Sequence, residues 1–168
     1  MSSREKIDLV EKLLPTRPEL AVVFDRGQPP AIEFAERLRS DFPSAGSEYL
    51  DFLCHSDGLQ VDMYVIFGSS NALTPLQEIA AIWSNDLNLD LYLPIAANAY
   101  GDIFTITKDN AVHFLETRGA RIPQPLCDSF EALIDEFFMG ERFLELFPQG
   151  RGVSEWLELL KELGWHPS

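Results

Sequence analysis

Ile103-Phe104-Thr105-Ile106-Thr107-Lys108-Asp109-Asn110-Ala111-Val112-His113-Phe114-Leu115 consists of two short β-prone runs around a polar break. Successive strand side chains point to opposite faces, so Phe104 and Ile106 share one of them. β-Branched and aromatic residues fill both runs, and Lys108-Asp109-Asn110 has the chemistry of a turn. Two such runs joined so closely predict an antiparallel hairpin. Upstream, residues 61–67 have the same composition and stop at Gly68, which predicts a further strand. Residues 20–24 form another β-prone run, closed by the breaker segment Asp25-Arg26-Gly27-Gln28-Pro29-Pro30.

Helical signals surround this strand-rich centre. Ser2 and Glu5 form a capping box that opens a helix ending before Pro15. Ile32, Ala35 and Leu38 share a helical face that Pro43 interrupts. From Ser47 to His55, Tyr49, Phe52 and Leu53 lie on one side, with Glu48, Asp51 and His55 on the other. Asp57-Gly58 stops that helix. Thr74-Pro75-Leu76-Gln77 reads as N-cap, proline at the first helical position and glutamine at the third. Leu76, Ile79, Ala80 and Trp83 then follow at helical spacing. Phe130, Leu133, Ile134, Phe137 and Phe138 form an apolar stripe capped by Asp128 or Ser129. After a Gly150-Arg151-Gly152 break, Ser154 caps a last helix on which Val153, Trp156, Leu157, Leu160 and Leu163 share a face, and Gly164 ends it. Helix-rich ends around a strand-rich centre predict an α+β fold with a mainly antiparallel sheet flanked by helices.

The chain has 168 residues, 46% hydrophobic and 24% charged, an ordinary globular composition for one domain. Thirteen basic against 27 acidic residues leave a net charge of −14. Nucleic acid and anionic membranes are therefore disfavoured as partners, because phosphate contacts would be made against the protein's own field. No apolar run approaches the ~18 residues of a membrane span, and no leader pattern opens the sequence. Cys54 and Cys127 are too few for a disulfide framework; the expectation is a cytoplasmic protein with reduced thiols.

Signatures of catalysis are missing. His55, His113 and His166 lie about 50 residues apart without acidic or cysteine partners at metal-ligand spacing. Cys54 and His55 are sequence neighbours, which diverge on a helix, so they do not make a nucleophile–base pair. No GxSxG, P-loop or GxGxxG motif occurs. The expectation is a non-enzyme without cofactor or metal.

The charge pattern is more informative. No Lys or Arg occurs in the 68 residues 40–107, which hold Asp41, Glu48, Asp51, Asp57, Asp62, Glu78, Asp86, Asp90 and Asp102. One reading is an acidic surface kept for solubility. The other is a face built for a basic partner, where charge sets on-rate and selectivity and desolvated aromatics supply affinity. On this reading the contact set is Asp57, Asp62, Asp86, Asp90 and Asp102, with Trp83 and Tyr100 as anchors. Glu48 and Asp51 extend it along a helix. Tyr92 is a further candidate, and core packing competes for each aromatic.

Several segments, taken in order, resemble the SMI1/KNR4 (SUKH) superfamily. Phe52-Leu53-Cys54-His55-Ser56-Asp57-Gly58 is similar to its helix-ending FLxxxNG segment, with Asp57 in place of Asn. Phe67-Gly68 resembles its strand-terminal Phe-Gly, and Leu73-Thr74-Pro75-Leu76-Gln77-Glu78-Ile79 the helix that follows. Leu93-Pro94-Ile95-Ala96 with Tyr100-Gly101-Asp102-Ile103-Phe104 resembles the "LPIA…GD-aromatic" block. Val112-His113-Phe114 is similar to the next strand, and Ser129-Phe130-Glu131-Ala132-Leu133 to the closing helix. Pro43 stands further from Phe52-Leu53 than the family's LP, and Leu115-Glu116-Thr117 departs from its aromatic-acid-His corner.

The resemblance spans residues 32–138 and implies a SMI1/KNR4-like domain over 31–148; outside the match, the residues predict an N-terminal helix and lead-in over 1–30 and a C-terminal helix over 149–168 that packs on the domain or supports a dimer. Its motif residues Phe52, Leu53, Gly58, Phe67, Gly68, Pro94, Gly101 and Phe130 then maintain the fold. It also implies a protein-binding module: an immunity protein against a basic toxin domain such as a nuclease or, alternatively, a regulatory scaffold with no toxin partner. A monomer and a homodimer both fit.

Overall fold

A computed structural model describes residues 1–146 and 154–167. Seven strands form one sheet in the order of the sequence, each antiparallel to the next. They are β1 (Phe24–Arg26), β2 (Leu59–Val61), β3 (Tyr64–Ile66), β4 (Leu93–Asn98), β5 (Ile103–Ile106), β6 (Val112–Leu115) and β7 (Gln124–Cys127). The helices are α1 (Ser3–Leu13), α2 (Ile32–Asp41), α3 (Ser47–Leu53), α4 (Leu76–Trp83), α5 (Phe130–Ala132) and α6 (Glu155–Glu162). The fold is α+β with an antiparallel sheet flanked by helices.

The hairpin of β5 and β6 pairs Ile103 with Leu115 and Ile106 with Val112. All four residues of β5 are buried, because both faces of the sheet centre are covered. On one face Phe138 stacks on Tyr64 at 4.2 Å and meets Phe104 edge-on at 5.3 Å. On the other, Tyr92 packs its ring against His113 at 5.2 Å. Such aromatic pairs add about 0.5–1.5 kcal/mol each beyond their area burial.

Four sequence expectations change. Residues 61–67 are not one strand but the hairpin of β2 and β3, in which Val61 pairs with Tyr64 across a two-residue loop. Asp62 takes φ = 50° there, a left-handed conformation that a short polar side chain tolerates. The strand expected over 20–24 begins only at Phe24 and continues through Asp25 and Arg26, where pairing with β2 overrides local propensity. On α2 the buried residues are Phe34 and Leu38, while Ile32, the helix's first residue, is 75% exposed. Thr74 does not cap α4; Pro75 occupies the N-cap position and the helix starts at Leu76. Gly68 donates to the Thr74 carbonyl and accepts from Leu76, which holds the intervening backbone extended.

Ser129 caps α5, accepting from Ala132. The chain then widens into a π-helix over Leu133–Phe138, with Met139 donating to the Ile134 carbonyl. The whole expected stripe is buried. Gly140 is required behind it, since a Cβ there would lie 2.1 Å from the Asp135 carbonyl oxygen. Lys6 closes this segment from α1, donating to the carbonyls of Asp135 and Met139 at 3.0 and 3.1 Å. Its ammonium also pairs with the Asp135 carboxylate at 2.7 Å and lies over the Trp165 ring.

Ser154 caps α6 by accepting from Leu157. Trp156 is fully buried and its indole N–H donates to the Phe138 carbonyl at 2.8 Å. The Gly150-Arg151-Gly152 break, Val153 and the boundary at 148/149 lie outside the described residues.

Candidate interaction surface

An antiparallel sheet in sequence order sends alternate connections to opposite ends. The β2–β3 and β4–β5 turns and the β6–β7 loop share one end; the segments before β2 and after β3 and the β5–β6 turn share the other. The expected contact residues therefore divide. Asp62, Tyr100 and Asp102 sit at the first end, and Asp57 at the second. Asp90 is tied to the second end too, since the Leu89 carbonyl accepts from Ser44, just before α3. One continuous face over the full set is not formed.

Asp57 is removed from the set altogether. It is 5% exposed, and its carboxylate accepts from the Ser69 N–H and hydroxyl. Its own N–H donates to Gly27. A Cβ on Gly27 would fall 2.1 Å from the Asp57 carbonyl oxygen, and one on Gly68 2.5 Å from its Oδ1. Gly58 beside it adopts φ = 78°. The Asp57-Gly58 and Phe67-Gly68 motifs thus form one packed knot that locks the ends of β2 and β3 together. The Tyr49 hydroxyl donates to the Phe67 carbonyl at 2.7 Å and fastens α3 to it.

Asp102 is half-buried and also internally engaged. Its carboxylate accepts from the Asn98 amide at 3.1 Å and the Thr117 N–H at 3.0 Å, bracing the β4–β5 turn against the segment after β6. Gly101 in that turn has φ = 84°. Asp62 is half-buried, and burial raises its carboxyl above the usual range. Tyr64 beneath it is pushed up by burial first, then by the charges of Asp62 and Tyr100. Trp83 is half-buried against the core. Asp86 and Asp90 are exposed; Asp86 lies 3.9 Å from Arg121, a surface pair of the kind worth ~0–1 kcal/mol.

Leu53, Phe67, Pro94 and Phe130 are buried, and Phe52 packs edge-on against Phe130 at 5.3 Å. Cys54 is exposed, and burial pushes the Cys127 thiol up to about 11, away from thiolate reactivity. Among the described residues no group of three His, Cys, Asp or Glu is placed to hold a metal, and no helix is long and apolar enough to cross a membrane.

Two features escaped sequence reading. The buried side of α4 was legible, but the row opposite it, Glu78, Ile82 and Asp86, carries the surface chemistry. The helical turn continues past Trp83, whose carbonyl accepts from Leu87, so Asp86 stays in line. Ile82 is 67% exposed, and the same β3–β4 connection exposes Leu73 and Leu91. An isoleucine between two acids on the polar side of the helix was the available signal. The second feature is a cleft of about 280 Å³ where α1, α3 and α5 meet, floored by Ile7, Phe52, Phe130 and Ile134. Its walls come from segments up to 128 residues apart, so no local pattern announces it.

In comparison with known proteins, the chain matches no family model and no curated protein.

Proposed function

We propose that this chain is a non-enzymatic protein-binding module, an immunity protein that neutralises a basic toxin domain such as a nuclease in the cytoplasm. The reading rests on one observation: Glu78 and Ile82 on α4 and Asp86 in the turn after it form an outward row, in a β3–β4 connection that has no Lys or Arg of its own and also exposes Leu73, Leu91 and Asp90. The cation at the row is Arg121, 3.9 Å from Asp86. Exposed isolated hydrophobics are ordinary, but three in one base-free connection, interleaved with carboxylates, combine the two ingredients of a docking face. The acids steer a cationic surface, and the aliphatic side chains supply the area that becomes dry on contact. The resemblance to the SMI1/KNR4 superfamily supports the same reading. Of the residues expected at the contact, Asp86, Asp90 and Trp83 belong to this connection, with Asp86 meeting Arg121 of the β6–β7 loop; Asp62, Tyr100 and Asp102 belong to the turn end, and Asp57 to the core.

The test is capture of the partner from source-organism lysate with the wild-type chain and with an E78Q/I82A/D86N variant. Reconstitution of the purified pair follows. The expected partner has a basic domain, binds wild type with a steep salt dependence, and is toxic unless wild type is co-expressed. A partner that binds both proteins alike, or that is acidic, overturns the reading.

A further inference from the structure

The cleft between α1, α3 and α5 has a mouth that can be followed residue by residue. Glu131 accepts from the Ser3 N–H at 3.4 Å. The next residue, Arg4, donates from Nη1 to His55 Nε2 at 3.3 Å; a guanidinium only donates, so this imidazole nitrogen is an acceptor. One helical turn back from His55 stands Asp51, and one turn before it Glu48. Glu48 closes the circuit by accepting from the Glu131 N–H at 3.1 Å. Inside this ring lies the apolar floor, with Ile7, Phe130 and Ile134 no more than 3% exposed and Phe52 packed edge-on to Phe130. Arg26, at the back wall, is held by Asp8 at 2.5 Å and Glu11 at 3.2 Å.

The rim thus sets three carboxylates against the guanidinium of Arg4, while the second guanidinium of the cleft, Arg26 at the back wall, is already paired with Asp8 and Glu11. Glu48 and Glu131 each direct one oxygen to a backbone N–H, and Asp51 is exposed at the lip. A volume of about 280 Å³ is just under the ~300–1,000 Å³ of pockets for drug-sized ligands. We infer that this cleft binds a small organic ammonium with one apolar group: the ammonium sits among Glu48, Asp51 and Glu131, and the apolar group on Phe52, which Phe130 backs from the core. The negative surplus excludes the corresponding carboxylate. The site is separate from the α4 face and does not depend on the immunity reading.

The probe is 2-phenylethylamine, titrated into the full chain by isothermal calorimetry and two-dimensional NMR, with phenylacetate as the anionic counterpart. Saturable binding at millimolar or lower Kd is expected, with shifts confined to the ends of α1, α3 and α5. Phenylacetate is expected to bind at least tenfold more weakly. Phe52→Ala should weaken the amine about tenfold. Because Phe52 also packs on the core, the exposed change Asp51→Asn provides a second variant, and should weaken the amine about threefold with an unchanged melting temperature. Phenylacetate binding as tightly as the amine, absence of saturation, or affinity unaffected by Asp51→Asn overturns the inference.

Discussion

The carboxylate of Asp57 accepts both the backbone N–H and the hydroxyl of Ser69, twelve residues away, inside the knot that joins the start of β2 to the end of β3. A carboxylate in a base-free, acidic stretch would be expected at the surface. Here two donors and close backbone packing draw it inside instead. Asp57→Ala leaves the buried Ser69 N–H without its acceptor, a loss of about 1–3 kcal/mol. In thermal unfolding this corresponds to a lower Tm by about 2–12 °C for a chain of this size. An unchanged Tm would show that the knot does not hold the two strands.

Lys6 joins three parts of the chain at one ammonium: α1, the π-helix and the Trp165 ring. Lys6→Met keeps the aliphatic stem but leaves two carbonyls and the Asp135 carboxylate without it. Asp135 keeps about a third of its side chain in water, so the loss is chiefly that of hydrogen bonds from a charged donor, about 1.5–3 kcal/mol. Hydrogen exchange should accelerate at Met139, and Trp165 fluorescence should shift to the red. Retention of both signals would locate the anchor of this corner elsewhere.

Burial raises the carboxyl of Asp62, which fixes the sign of a pH effect. The folded state holds this proton more tightly than the unfolded chain does, so the charged form destabilises the fold above the folded-state pKa. That penalty disappears as pH falls below the unfolded value. Asp62→Asn removes the charge and tolerates the same positive φ. The variant should therefore be the more stable protein at pH 7, with the difference shrinking towards pH 4 in urea titrations. A difference independent of pH would assign it to the turn backbone.

Trp156 secures α6 by burying its whole side chain and bonding to the Phe138 carbonyl. Trp156→Ala should cost about 3–5 kcal/mol, and Trp156→Phe less, since most of the apolar area is kept. Equilibrium denaturation of the two variants distinguishes lost packing from a lost hydrogen bond. Equal losses would attribute the effect to the N–H alone.

For the α4 face, E78Q/D86N should slow association with a basic partner and flatten its salt dependence, because surface charge acts mainly on encounter. Ile82→Ala should instead speed dissociation, because it removes area that is dry in the complex. Stopped-flow kinetics at two ionic strengths separates the two. Identical effects on both rate constants would argue against this division of labour.

The sequence by itself determined the α+β class, the β5–β6 hairpin, the Ser2 and Ser154 caps, and the apolar stripes from Phe130 and from Trp156. It narrowed the cap of the Phe130 helix to Asp128 or Ser129, of which the structure chose Ser129. Each of these depends on residues a few positions apart, where side-chain spacing and capping chemistry act directly. The two strands within residues 61–67 were illegible, because a β-prone run reads the same whether or not Asp62 turns left-handed. Only the tertiary structure decided that Asp57 is core, that Asp62 and Asp90 lie at opposite ends of the sheet, and that Glu48, His55, Arg4 and Glu131 ring one cleft. Those facts depend on strand order and on contacts across up to 128 residues, to which local periodicity is blind.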